Sequence, residues 1–401
     1  MKQRWHHLDA LRAWAMLMGI GLHGALAFVP EVKGFWAVTD VRSHELWSVG
    51  VMAVHGFRLQ VFFVMAGFFA GLLWERRGAQ EFIHNRLRRI GLPLLLFSIL
   101  LLPLMFWQWI VCLERQGWDW QELAESSGIK GEIFALNFGH LWFLWYLLWL
   151  LAGYAAVAWV ADRRGWRAPT GKWLEMPRCL ILVVPATLPF QWLMRELNVD
   201  SPMGIGPIPR LLGYYGVFFA FGALLYARRE VLDRVGRWWG ALLALGVLVL
   251  FPATLVIPGL HLEEFAEGVD VIFVLDALWE VSPGWHFAAV LANVFYTWFV
   301  VLGCIGLFQM LAAKDRPWVR YLSDASYWLY LTHLPVLFAL QIEMRSWDAS
   351  GIVKFSLQIA VATGLLLAIY HFAVRNTWLG RMLNGPASQA SKPSSKGEAK
   401  S

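Results

Sequence analysis

Charged side chains are scarce in this chain. Asp, Glu, Lys and Arg make up 15% of its 401 residues, against 58% hydrophobic residues. A water-soluble protein of this length carries far more charge and shorter apolar runs, so a soluble globular class is excluded. Cysteine is nearly absent. Cys112, Cys179 and Cys304 fall in or beside apolar runs without metal-ligand spacing, and read as small core residues rather than a disulfide framework. Neither H-x-x-x-H nor H-E-x-x-H occurs, which removes the usual zinc motifs. No short internal repeat and no soluble domain of useful size is present.

What fills the chain instead is a succession of apolar stretches of about twenty residues, the length that crosses roughly 30 Å of hydrocarbon. The 25 Trp include several at the ends of these stretches, where amphipathic rings favour the headgroup region. The fold class expected is all-α: a polytopic transmembrane helical bundle. Spans are placed near 13–30, 49–74, 92–112, 141–161, 178–194, 211–227, 238–257, 286–311, 319–342 and 352–374. The fifth is the weakest, being short and containing Pro185 and Pro189. Residues 269–279 are apolar but too short to span, and Asp276 interrupts them. The first run begins almost at the N-terminus. It lacks a convincing small-residue cleavage site, and its internal polar residues read as a retained helix.

The net charge of +6 would suit nucleic acid, but its distribution points elsewhere. With both termini placed inside, 25 of the 34 Lys and Arg fall on inner segments and 8 on outer ones, while Arg58 lies within a span. Asp and Glu run the opposite way, 18 outside against 10 inside. The positive-inside rule then gives ten crossings with cytoplasmic termini, and topology accounts for the basic excess without nucleic acid. The transmembrane domain is expected over 1–376 and a cytoplasmic, largely disordered tail over 377–401. Its last seventeen residues, GPASQASKPSSKGEAKS, are too small and polar to order themselves. The outer loops 113–140 and 258–285 are long enough for short helices or an acceptor site.

Several polar residues sit where hydrocarbon is expected. In LDALRAWAMLMGIGLHGALAFVP, Asp9 and Arg12 share a helical face, and Gly19 and His23 continue the same stripe. His23 lies about 22 Å along the helix from Leu8, nearer the outer face. It is either a packing histidine or part of a site; ionisable groups within spans usually mark pathways or sites. In HGFRLQVFFVMAGFF, His55, Arg58 and Phe62 share a face, with Arg58 too deep for easy snorkelling, so its charge requires a partner or water. Arg86 and Arg89 form an R-x-x-R pair leading into a span, a pattern that suits a phosphate-rich cytoplasmic ligand or simply marks topology. His140 stands at the outer mouth of the fourth span, as a site residue or an interfacial anchor. Ser326, Tyr330 and His333 line one face of the ninth span, as a tunnel wall or as interhelical hydrogen-bond partners.

Five stretches in this order, LDALRAWAMLMGIGLH, FRLQVFFVMAGFF, FIHNRLRRIGLP, HLWFLWYLL and ASYWLYLTHLP, resemble the integral-membrane acyltransferase-3 family over nearly the whole chain. HGFRLQVFFVMAGFF and SHELWSVGVMAVHGF look most like the branch that succinylates osmoregulated periplasmic glucans. The family often has Ser-Gly where this chain has Ala66-Gly67, so any role of that hydroxyl is lost or moved. The resemblance implies transfer of an acyl group from cytoplasmic acyl-CoA to a hydroxyl of an extracytoplasmic glycan, in a bacterial inner membrane. It implies His23 as the base and Arg86 and Arg89 on the donor side, and Arg12 is grouped with that pair as donor-binding. No tightly bound cofactor and no metal is expected; acyl-CoA, succinyl-CoA by branch resemblance, is the co-substrate.

The residues make that chemistry plausible in their own right. The phosphates of coenzyme A need cations, and the dense cationic surface is inside. Imidazole has an unperturbed pKa near neutrality and can take a hydroxyl proton. Arg58 could stabilise the oxyanion or hold a dicarboxylic donor's free carboxylate, and Asp9 is grouped with His23 and Arg58 as catalytic. His55, His140, Ser326, Tyr330 and His333 are placed along the tunnel or on the acceptor side. Acetyl transfer to another envelope carbohydrate is the alternative within the enzyme class. An exporter of glycan or small anion is the alternative outside it, although the inverted repeats and paired broken helices common in transporters are not found.

Overall fold

The computed structural model describes residues 5–30, 36–117, 138–194, 202, 204–259, 283–312 and 314–384. The expectations for residues 269–279, for most of the two long outer loops and for 385–401 lie outside these. Among the described residues there are helices and turns and no strand. The helices are α1 (His6–Ala25), α2 (Glu45–Arg86), α3 (Leu92–Glu114), α4 (Trp142–Arg164), α5 (Arg178–Trp192), α6 (Pro209–Ala227), α7 (Trp239–Leu245), α8 (Phe251–Gly259), α9 (Pro283–Leu311), α10 (Pro317–Met344), α11 (Gly351–Ile369) and α12 (Trp378–Asn384), with one further turn at Leu232–Val235. In hydrocarbon each backbone N–H and C=O must be satisfied within its own segment, which is why apolar runs of this length become helices.

The protein is an all-α, multi-pass membrane protein. Seven helical stretches among the described residues are long and apolar enough to cross a bilayer, and one of them, Glu45–Glu114, contains two of the expected spans. α5, with 15 residues, is shorter than a full crossing, as its two prolines foretold. Large apolar side chains such as Leu95, Ile99, Leu248 and Ile352 are exposed on the outside of the bundle, where lipid would cover them.

Two differences from the sequence expectations stand out. Residues 75–91, the charged segment left between the second and third expected spans, are helical: α2 runs on to Arg86 and passes through a π-helical turn (Leu87–Gly91) into α3. Glu, Arg, Gln and Ala are strong helix formers, and the bend falls on Gly78, whose φ of 73° and ψ of 177° suit glycine alone. Residues 378–384, assigned to the tail, form α12, in which Met382 and Leu383 are buried.

α2 and α6 cross closely through a reciprocal glycine contact. A Cβ on Gly67 would overlap the carbonyl of Phe219, and one on Gly222 would overlap that of Val64. Small residues let two backbones approach where no water-driven force joins helices. The aromatic core follows from this crossing, with Phe218 stacked on the fully buried Trp298 of α9 at 4.3 Å. At the end of α1 that carries His23, Asp40 accepts two hydrogen bonds from Lys354 at 2.9 and 3.1 Å. Both side chains are buried, and the same Nζ donates to the carbonyl of Arg345 at 2.8 Å.

Candidate active site

α1, α2, the mouth of α4 and α10 enclose a cavity of about 40 Å3, lined by His23, Arg58, His140 and Tyr330 with Met16, Leu59, Phe62, Trp142 and Phe143. Among the described residues no carboxylate lines it.

His23 Nδ1 lies 2.7 Å from His333 Nε2. Which nitrogen carries the proton follows from what lies behind His333. Its Nδ1 faces the carbonyls of Tyr330 at 2.8 Å and Leu329 at 3.2 Å. A carbonyl only accepts, so His333 is protonated on Nδ1, and its neutral ring offers a lone pair at Nε2. His23 therefore donates from Nδ1–H, which leaves Nε2 of His23 unprotonated. Among the described residues no hydrogen bond occupies that nitrogen. An imidazole oriented by a second group, with its free nitrogen at a cavity, has the arrangement of a general base.

The backbone around His23 is held as firmly as the ring. Gln341 donates to the His23 carbonyl at 3.2 Å, and Gln358 to that of Gly24 at 2.8 Å, satisfying acceptors that the end of α1 leaves open. Trp36 stacks on the His23 ring at 5.8 Å and donates to Gln341 at 3.0 Å. None of these partners was singled out from the sequence.

His140 is placed by a proline. Pro335 has no N–H, so the Leu331 carbonyl one turn earlier has no intrahelical donor. His140 Nε2–H donates to it at 3.1 Å, and Tyr330 Oη donates back to the His140 carbonyl at 2.8 Å. The remaining nitrogen of His140, Nδ1, is buried with no hydrogen-bond partner among the described residues. The signal was present in the sequence as Thr-His-Leu-Pro.

Arg58 is 7% exposed and forms neither an ion pair nor a hydrogen bond with any described residue. Its guanidinium lies against Gly19, where a Cβ would strike Nη1. The glycine on the α1 stripe thus makes room for a cation one turn from His23.

At the other end of α1, Arg12 donates to Ser323 Oγ at 2.7 Å and lies 3.6 Å from Asp9. Arg86 donates to the Phe69 carbonyl at 2.9 Å. Arg89 donates to the Leu383 carbonyl of α12 at 2.9 Å, and its own carbonyl accepts from Tyr327 at 2.9 Å. Arg89 interacts electrostatically with both Arg12 and Arg86. The π-helical turn sends the two side chains of the R-x-x-R pair to different carbonyls, but the three arginines remain one cluster. Ser323, Tyr327, Tyr330 and His333 run up α10 from this cluster to the cavity, about 15 Å at 1.5 Å per residue.

Three sequence expectations need correction. Asp9 is not at the cavity: it lies about 21 Å along α1 from His23 and contacts Arg12. Ser326 is buried and spends its hydroxyl on the Ser323 carbonyl at 2.8 Å; Ser323, three residues earlier, holds the arginine. His55, about one turn from Arg58, does not line the cavity.

The acyltransferase domain family matches residues 5–373, a range that includes every helix just described except α12. The chain belongs to the acyltransferase-3 family. It is an acyltransferase. Similar relatives are the glucans biosynthesis protein C of Salmonella paratyphi A (strain ATCC 9150 / SARB42) and that of Salmonella agona (strain SL483), each 23% identical over 399 residues, covering 97% of either chain. Salmonella enteritidis PT4 (strain P125109) has a counterpart at the same identity and coverage. No solved structure matches the chain. In this acyltransferase the cavity joins residues from the first and last parts of the matched range, His23 and Tyr330.

Proposed function

We propose that this acyltransferase moves an acyl group, succinyl by its branch resemblance, from cytoplasmic acyl-CoA to a hydroxyl of an extracytoplasmic glucan, with His23 as general base. The observation that carries this is the His23–His333 pair: the second nitrogen of His23 has no hydrogen-bond partner among the described residues, and His23 lines the same cavity as Arg58, which has no ion-pair partner among them. The name of the relatives supports a glucan acceptor. The positive-inside asymmetry supports ten crossings with cytoplasmic termini, which puts Arg12, Arg86 and Arg89 on the coenzyme A side. A bacterial inner membrane is the setting.

Phosphates of the donor bind the arginine cluster, and the pantetheine arm follows the α10 stripe toward the cavity. His23 Nε2 takes the proton of the sugar hydroxyl as that oxygen attacks the thioester carbonyl. The tetrahedral intermediate collapses, the C–S bond breaks, and the departing coenzyme A thiolate takes the proton from the His23 imidazolium. Ester and free thiol result. The 40 Å3 cavity holds about three water-sized spheres, so the arm and the sugar enter only as flanking helices part.

Purified protein incubated with radiolabelled succinyl-CoA and a β-glucan tests this. Labelled glycan with release of free thiol is expected, and His23→Ala abolishes it. Acetyl transfer alone would favour the other donor, and movement of glycan without covalent label would favour an exporter.

A further inference from the structure

Of the three clustered arginines, Arg12 and Arg86 donate to residues inside the matched domain, whereas Arg89 donates to a carbonyl beyond it, on α12. We propose that α12 is a displaceable latch on the donor site: the Leu383 carbonyl holds the Nε–Nη2 edge of Arg89 and yields it to a phosphate group of the arriving donor. This rests on the placement of coenzyme A at Arg12, Arg86 and Arg89 in the reading above, and adds regulation to it.

The chemistry of the contact favours exchange. Nε and Nη2 of Arg89 both donate to the Leu383 carbonyl, at 3.3 and 2.9 Å. These two donors form one edge of the guanidinium, the geometry that binds two oxygens of a phosphate in parallel. A single carbonyl oxygen takes both and carries no charge, although Arg12, Arg77 and Arg86 act on Arg89 against Asp324. A phosphate offers one oxygen to each donor and neutralises the cationic surplus, so it outcompetes the carbonyl for this edge. The neighbours suit the same ligand: the Nε atoms of Arg12 and Arg86 are buried without a hydrogen-bond partner among the described residues.

The latch is also built to move. α12 has seven residues, too few to hold a helix by themselves in water, and contacts at its end keep it docked. Met382 and Leu383 are buried, and Asn384 Nδ2 donates to Tyr370 Oη at 3.0 Å. The Leu383 carbonyl is among those that a helix end leaves without an intrahelical donor, so it can bind Arg89 or water equally well. The backbone of Arg89 is fixed separately, because Tyr327 donates to its carbonyl at 2.9 Å. Exchange therefore shifts one side chain and one short helix and leaves the π-helical turn in place.

Tryptic cleavage after Arg381, an exposed residue of α12, tests this on the full-length native protein. Coenzyme A should speed that cleavage, and pantetheine, which has no phosphate, should not. Equilibrium binding of coenzyme A gives the second readout. Gly380→Ala should undock α12, because a Cβ there would overlap the carbonyls of Val374 and Arg375, and Leu383→Ala should loosen it by removing buried surface. Apparent affinity scales with the fraction of molecules whose site is free, so both variants should bind coenzyme A about tenfold more tightly, the net worth of one hydrogen bond. In an Arg89→Ala background the same substitutions should change nothing. Unchanged or slower cleavage with coenzyme A overturns the latch on native protein alone, which covers the case in which neither variant folds. Weaker coenzyme A binding by the folded variants would make α12 a wall of the donor site and also overturn it. Unaltered coenzyme A affinity in Arg89→Ala would overturn the latch together with the donor placement. Faster cleavage and tighter binding without any labelled glycan would uphold the latch while refuting acyl transfer to glucan.

Discussion

Replacing His333 with Ala removes the acceptor that holds the His23 Nδ1 proton. The loss has a floor and a ceiling. One hydrogen bond contributes about 0.5–1.5 kcal/mol, at most roughly tenfold in rate. A correctly protonated and positioned base contributes about 10²–10⁴-fold. The 2.7 Å contact does more than orient the ring, because the bond from His333 Nδ1–H to the Tyr330 carbonyl dictates which nitrogen of His23 is free. His333→Ala is therefore expected to lose about 10²-fold or more in kcat, within the range for general-base loss, with the KM for acyl-CoA little changed. His333→Gln can present an amide oxygen near the Nε2 position and should stay within about tenfold of the native rate, the worth of a perturbed hydrogen bond. Residues acting as a unit are not additive, so His23→Ala/His333→Ala should be no slower than His23→Ala alone. Thiol release in detergent or nanodiscs measures all four proteins, with thermal unfolding confirming that each is folded. Native turnover by His333→Ala, or a double variant slower by the product of the single losses, would refute the tautomer assignment.

Arg89→Ala should raise the KM for acyl-CoA while leaving kcat nearly intact, the reverse of His333→Ala, and steady-state kinetics separates the two. It also removes the hydrogen bonds to the Leu383 carbonyl, so α12 should gain protease sensitivity. Gly67→Ala or Gly222→Ala drives a methyl into a backbone carbonyl that cannot yield, and should lower stability by about 1–3 kcal/mol, read as a fall in Tm. Lys354→Ala or Asp40→Ala leaves a buried charge alone and should cost about 3–5 kcal/mol, while joint replacement by apolar residues of similar volume should cost much less; denaturant titration distinguishes them.

The all-α, multi-pass class was readable because bilayer thickness imposes a length on apolar runs that few other constraints imitate. The helix through 75–91 was not legible for the converse reason: its charges mark a loading of Arg and Glu but say nothing for or against a helix, and Gly78 interrupts the run. The His23 stripe was legible from spacing within one helix. Its partnership with His333 was not, because nothing local relates two positions 310 residues apart. Ser326 and Ser323 lie three residues apart on one helix, and the reach of Arg12 from α1 chose between them. That Arg58 has no counterion among the described residues could emerge only when the surrounding helices were in place. Pro335 was the missed opportunity, since a proline inside a helix leaves the carbonyl four residues upstream without its intrahelical donor.

The buried pair of Asp40 and Lys354 has a bearing on biogenesis. The two residues are 314 positions apart, so the lysine emerges from the ribosome long after its acceptor and settles only against an already docked N-terminal segment. A molecule damaged or truncated near its beginning would strand an ammonium group among apolar neighbours at its far end.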